Sequence, residues 1–178
     1  MAVDSRGLIY VTDTGNKRIQ VFTADGDFID QFGQVGLLEG QFQEPVGIAI
    51  DADNNIYVAD TWNRRIQKFD SERDYVTEWP VLGWESESVV NKPYIAVDDR
   101  GQVYVTDPEG YRVLIFSDAG EFVASFGRFG NDVASFNLPI GIAVNDQGDI
   151  FVADSANHRV MQFPPVSPEN DGQSSASG

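Results

Sequence analysis

The chain has no cysteine, one histidine, two methionines, and only 12 lysines and arginines against 28 acidic residues in 178. Without cysteine there are no disulfides, thiol nucleophiles or thiolate-ligated zinc and iron–sulfur centres. The single histidine, His158, cannot by itself build a multi-histidine metal or acid–base site, and Ser5, Ser71 and Ser117 have no histidine partner that would make a triad. A formal net charge of −16 argues against a nucleic-acid surface, because phosphate binding needs cationic contacts. No apolar run is long enough for a transmembrane helix. The first residues carry no basic-then-apolar signal pattern. Neither an Asn-x-Ser/Thr acceptor nor a glycine-rich phosphate loop occurs. What is present is 42% hydrophobic residues, with 12 Phe and 6 Tyr, enough for a real core.

The organising feature is a repeat. Residues 2–22, 49–69, 96–116 and 143–163 align without gaps at a period of 47. Ala2, Ala49, Ala96 and Ala143 stay in register, as do Asp13, Asp60, Asp107 and Asp154, and Arg18, Arg65, Arg112 and Arg159. The second unit predicts four strands: A over Gly47–Asp51, B over Ile56–Asp60, C over Arg65–Phe69 and D over Tyr75–Trp79. Short runs rich in Val, Ile, Tyr and Phe, split by Gly/Asn/Asp turns, read as antiparallel hairpins. Four strands every 40–50 residues make the blade of a β-propeller. The expected fold is therefore all-β, with about four four-stranded antiparallel blades over residues 1–165 and a disordered tail over 166–178.

These units resemble the NHL-repeat family. Its opening motif appears as Pro45-Val-Gly-Ile-Ala-Ile-Asp51 and Pro139-Ile-Gly-Ile-Ala-Val-Asn145. Its middle motif appears as Asp13-Thr-Gly-Asn-Lys-Arg18 and Asp60-Thr-Trp-Asn-Arg-Arg65, and its exits as Phe32-Gly33 and Phe126-Gly127. The third unit departs most, with Tyr94 for the opening Gly, Lys92-Pro93 out of step, and Gly110 for the loop Asn. Family propellers usually close six blades. The first unit starts inside strand A and the last lacks strand D, so open edges are expected at both ends. They would be covered by upstream blades of a larger propeller, by a second copy making an eight-blade homodimer, or by closure of a tight four-blade ring. The resemblance also implies an exported, sensor-like bacterial module, hence an extracytoplasmic location.

Candidate sites divide into repeated and unrepeated residues. The Asp13–Arg18, Asp60–Arg65, Asp107–Arg112 and Asp154–Arg159 pairs recur in every unit and are expected to be structural ion pairs across the B–C hairpin. Asp4, Asp51, Asp98 and Asn145 follow strand A and are expected to form Asx turns. Asp51, Asp53 and Asn55 also look like the start of a calcium loop, but its later Gly and Glu ligands are missing. Strand A residues, which would line the central channel, are Ala, Val and Ile, with no acid, base or nucleophile.

The residues that break the repeat are more informative. Trp62 and Tyr111 fall in B–C loops, and Trp84 and Phe129 in D–A loops. In a propeller these loops share one face, where exposed aromatics anchor partners. Arg64 joins them. That face carries ten acids against eight bases, whereas the A–B and C–D turn face carries fourteen acids against three bases. The expected function is a non-catalytic scaffold binding a protein, peptide or glycan on the near-neutral aromatic face, with no cofactor, no nucleic acid and no membrane insertion. Two alternatives remain open: a lyase- or lactonase-like propeller whose metal ligands lie upstream, and a calcium-stabilised sensor module.

Overall fold

A computed structural model describes residues 1–84 and 92–166. The tail expected from residue 166 therefore lies, apart from Val166, outside the described residues. The chain forms four antiparallel sheets, one per repeat, arranged as blades. Blade 1 comprises β1 (Ala2–Val3), β2 (Ile9–Asp13), β3 (Arg18–Phe22) and β4 (Phe28–Phe32). The loop to blade 2 contains the short parallel pair β5 (Gln34–Val35) and β6 (Gln41–Phe42). Blade 2 is β7 (Pro45–Ile50), β8 (Ile56–Asp60), β9 (Arg65–Phe69) and β10 (Tyr75–Pro80). Blade 3 is β11 (Ile95–Val97), β12 (Val103–Asp107), β13 (Arg112–Phe116) and β14 (Phe122–Phe126). Blade 4 has three strands among the described residues: β15 (Pro139–Val144), β16 (Ile150–Asp154) and β17 (Arg159–Phe163).

Local chemistry sets each hairpin. At the A–B turns one side-chain oxygen of Asp4, Asp51, Asp98 or Asn145 accepts the backbone N–H two residues on, at 2.9–3.0 Å. The same oxygen accepts a second N–H four residues on. The turn then needs a left-handed residue, supplied by Gly7, Asn54, Gly101 and Gly148. At the B–C turns a residue at φ 53–59° closes the loop in every blade: Lys17, Arg64, Tyr111 and His158.

Strands B and C of blade 2 match the expectation from sequence. Strand A does not: β7 begins at Pro45, two residues early, and ends at Ile50. The cause is a bulge. Pro45 pairs with Asp60 and Gly47 with Ala59, leaving Val46 out of register. The carbonyl of Val46 accepts the Thr12 hydroxyl of blade 1 at 3.0 Å. Blade 4 repeats this, with a register shift between Pro139 and Gly141 and Thr106 of blade 3 donating to the carbonyl of Ile140. Strand D also runs one residue longer than expected, to Pro80.

The inner strands of consecutive blades pack on one another, and three apolar clusters fill the three junctions. Tyr10, Ile19 and Val21 meet Ile48, Ile56, Val58 and Phe69 between blades 1 and 2. Tyr57, Ala59 and Ile66 meet Val103, Val105 and Phe116 between blades 2 and 3. Tyr104, Val113 and Ile115 meet Ile150 and Val152 between blades 3 and 4. Burial follows from this stacking. Every residue of β8, β9 and β12 is buried, so the middle blades are covered on both faces. Strands β3 and β16 bury alternate residues, β2 buries only Tyr10 and β17 none, so the end blades are covered on one face only.

Candidate interaction face

The four repeated Asp–Arg pairs are formed, at Nε–Oδ2 distances of 2.8, 3.2, 2.8 and 2.9 Å in chain order. Two of them do more than clamp a hairpin. Asp60 accepts the backbone N–H groups of Gln43 and Glu44 on one oxygen, and Asn63 and Arg65 on the other. Arg65 then donates to the carbonyls of Leu37, Leu38 and Gln41. In blade 4, Asp154 takes Asn137, Leu138, Asn157 and Arg159, and Arg159 reaches Asn131, Asp132 and Ser135. Each set ties the incoming D–A loop to the blade it enters. Blade 3 has Gly110 in place of the Asn, and among the described residues Arg112 reaches the loop at the Leu82 carbonyl, 3.4 Å away. That D–A loop includes residues 85–91, which lie outside the described set, together with the expected face residues Glu85 and Glu87.

On this scaffold Trp62 stands nearly half exposed, at 48%, one position into its B–C loop. The ammonium groups of Lys17 and Lys92 lie 5.5 and 5.9 Å from the ring centroid, within cation–π range. Lys92 also pairs with Glu44 at 2.6 Å, and the Thr61 hydroxyl donates to the same Glu44 oxygen at 2.8 Å. Glu44, Thr61, Trp62, Lys92, Pro93 and Pro108 are among the residues lining a pocket between blades 2 and 3. Lysines from blade 1 and from the approach to blade 3 thus converge on an aromatic of blade 2.

Trp84 corrects the expectation of a fourth exposed anchor. It lines the floor of that pocket but is only 6% exposed. Its indole N–H donates to the Thr106 carbonyl at 3.2 Å, and its ring packs in the core of the junction between blades 2 and 3. In the segment before it Trp79 and Val81 are buried while Pro80 and Leu82 are exposed. Phe129, by contrast, is 65% exposed, and it packs edge-on against half-buried Tyr111 with centroids 4.9 Å apart. Arg64 is exposed and lines a separate side groove with Leu37, Glu78 and Pro80. The five residues therefore divide into a Trp62 pocket, a Tyr111–Phe129 pair and a lone Arg64.

Of the calcium candidates, Asp51 and Asn55 are bonded to one another, while Asp53 enters the turn through its backbone N–H. Asp51 holds its turn with one oxygen, while the other accepts the Asn55 amide and the Tyr57 hydroxyl, at 2.8 and 2.9 Å. Burial and the adjacent Asp51 carboxylate push the Tyr57 hydroxyl well above the usual phenol range, which keeps it a donor. Among the described residues no group of three or more His, Asp or Glu is placed to hold a metal. His158 sits exposed at the left-handed position of its B–C loop.

Comparison with known proteins places this architecture. A search of the curated proteins finds no match. In solved structures the chain is similar to a selenomethionine-substituted virginiamycin B lyase from Staphylococcus aureus, at 15% identity and a TM-score of 0.58, over 93% of this chain and 55% of that one. It is also similar to a protein of unknown function from Bacteroides caccae, at 18% identity and TM-score 0.64, over 91% and 54%. The RRP9 WD40 repeats match at 12% identity and TM-score 0.61, over 92% and 49%. Such identities speak for the fold alone, and the chain spans about half the length of the structures it matches. The NHL repeat model matches residues 1–22, 42–69 and 136–163, passing over the third unit, where Tyr94 and Gly110 break the motif. Three segments match the NHL repeat, a fourth stands in register with them, and the four stacked antiparallel sheets form a four-blade β-propeller.

Proposed function

We propose that the chain is a non-catalytic binding module whose B–C and D–A loop face takes a protein or peptide partner. The observation that carries this is Trp62, a half-exposed aromatic within cation–π range of two ammonium groups and lining a pocket. An anchor of this kind combines a large apolar contact with the nearby ammonium group of Lys17, Lys92 being already paired with Glu44. The lysines already over the indole leave less of its face for stacking by a sugar ring, which favours a peptide over a glycan. The Tyr111–Phe129 pair supplies a second apolar contact on the same set of loops.

The test is selection of a random peptide library on the immobilised protein, followed by titration of the enriched peptides. Trp62→Ala with Phe129→Ala is expected to weaken binding about 30-fold, the size of one strong anchor, with an unchanged thermal melt. Failure to enrich any peptide, or equal affinity in the double variant, would sink the reading.

A further inference from the structure

We infer that the partner taken at Trp62 is an acidic peptide, whose carboxylates beside an apolar anchor pair with Lys17 and Arg64; this rests on the peptide-binding reading above. The chain has 28 acids for 12 bases, so carboxylates are plentiful. Of the eight bases on the B–C and D–A loop face, six sit 2.6–3.2 Å from a carboxylate of the chain. The four bases elsewhere are paired as well, at 2.8–3.4 Å. Lys17 and Arg64 are the two that pair with no carboxylate among the described residues.

Neither cation is required to close its loop. Both stand at the left-handed position of a B–C loop, at φ 59° and 55°, where blades 3 and 4 carry Tyr111 and His158 instead. The closure is made by the backbone: the Lys17 N–H donates to the Thr14 carbonyl and the Arg64 N–H to the Thr61 carbonyl. Solubility does not account for them either. In a chain of net charge −16 each cation brings the total nearer to zero.

Their places bracket Trp62. Lys17 reaches across from blade 1 to 5.5 Å from the indole centroid, and Arg64 follows Trp62 by two residues in the same loop. Arg64 lines a groove of about 260 Å³ in which the lining carboxylate, Glu78, is held by Arg65 at 2.7 Å. A peptide carboxylate entering there meets a guanidinium with no rival to displace, and a planar guanidinium can take it with two parallel bonds. The pocket beside Trp62 is lined on its blade 3 side by Asp107 and Glu109. These acids turn the acidic residues of a peptide toward blades 1 and 2. Two separate cations on a face with ten acids suit one or two carboxylates, whereas a nucleic acid needs a run of bases along its phosphates.

The test is an array of pentapeptides with Leu or Trp at the centre and Glu, Gln or Lys on both sides, titrated on the 178-residue chain. Glu-flanked peptides are expected to bind at least tenfold more tightly than their Gln-flanked copies, and the gap should close as salt is raised. Lys17→Asn with Arg64→Asn, a residue suited to the left-handed turn, should narrow that gap to less than threefold, with an unchanged thermal melt. Gln-flanked peptides bound as tightly as Glu-flanked ones, with binding lost in Trp62→Ala, would overturn the acidic preference and leave the peptide-binding reading standing. No binding of any peptide would overturn both. A polyuridine oligonucleotide bound more tightly than every peptide would also overturn the inference.

Discussion

One residue type does different work in different blades. Asp60 is fully buried and satisfies four donors, and its partner Arg65 is also buried. Asp13 makes the same ion pair in a partly exposed setting, where Asn16 and Gln20 complete its bonds. Asp60→Ala should cost about 3–5 kcal/mol, because it strands a buried guanidinium and frees the D–A loop. Asp13→Ala should lower the melting temperature far less; urea titration of the two variants compares them directly. The ion pair was legible in sequence from its five-residue spacing. Its grip on a loop 24–28 residues away was not, because nothing in a local pattern marks which carbonyls a guanidinium will find. Trp84 shows the converse. Its break from the repeat suggested exposure, whereas the contacts that bury it come from another blade.

At the scale of the element, hairpins were readable because their determinants are local: an Asx turn, a left-handed residue and an alternating strand. The bulge in strand A was not, since it exists to present the Val46 and Ile140 carbonyls to a neighbouring blade. Gly120 illustrates how a turn and its neighbour are coupled. It sits at φ +86° in the β13–β14 turn, and a Cβ there would come within 2.6 Å of the Trp79 ring. Gly120→Ala should therefore destabilise by about 2–4 kcal/mol, combining left-handed strain with overpacking. Equilibrium unfolding followed by tryptophan fluorescence measures this, and a loss below the strain alone would show that the ring can move aside.

The whole molecule carries 28 acidic side chains, and several are held in the charged state by the fold. Burial would raise the Asp154 carboxyl, but N–H groups of Asn137 and Leu138 with Asn157 and Arg159 outweigh it and hold it below the usual range. Asp4 is lowered in the same way against its burial, by the Leu8 N–H and Arg6. Ser135, the Ala134 N–H and Arg128 bring Asp132 down to about 2. A carboxyl with a lowered folded pKa contributes stability that is complete above its unfolded value near 4 and is lost as pH falls through the folded value. The melting temperature should therefore drop between about pH 4 and pH 2, even though protonation also relieves charge repulsion. Calorimetry of Asp154→Asn should show a shallower fall than the parent; an identical acid limb would remove Asp154 from the account.

The four left-handed residues of the B–C loops have a consequence for how such a protein changes over time. Lys17, Arg64, Tyr111 and His158 share one backbone conformation and one place in the blade, yet no two are alike. The strain of that conformation is similar whichever of these side chains is present, so the fold exerts little preference among them. Each blade thus offers a position where the chemistry displayed on the proposed binding face can be rewritten one letter at a time while the strands beneath stay as they are. A new specificity can be tried on one blade without disturbing the other three.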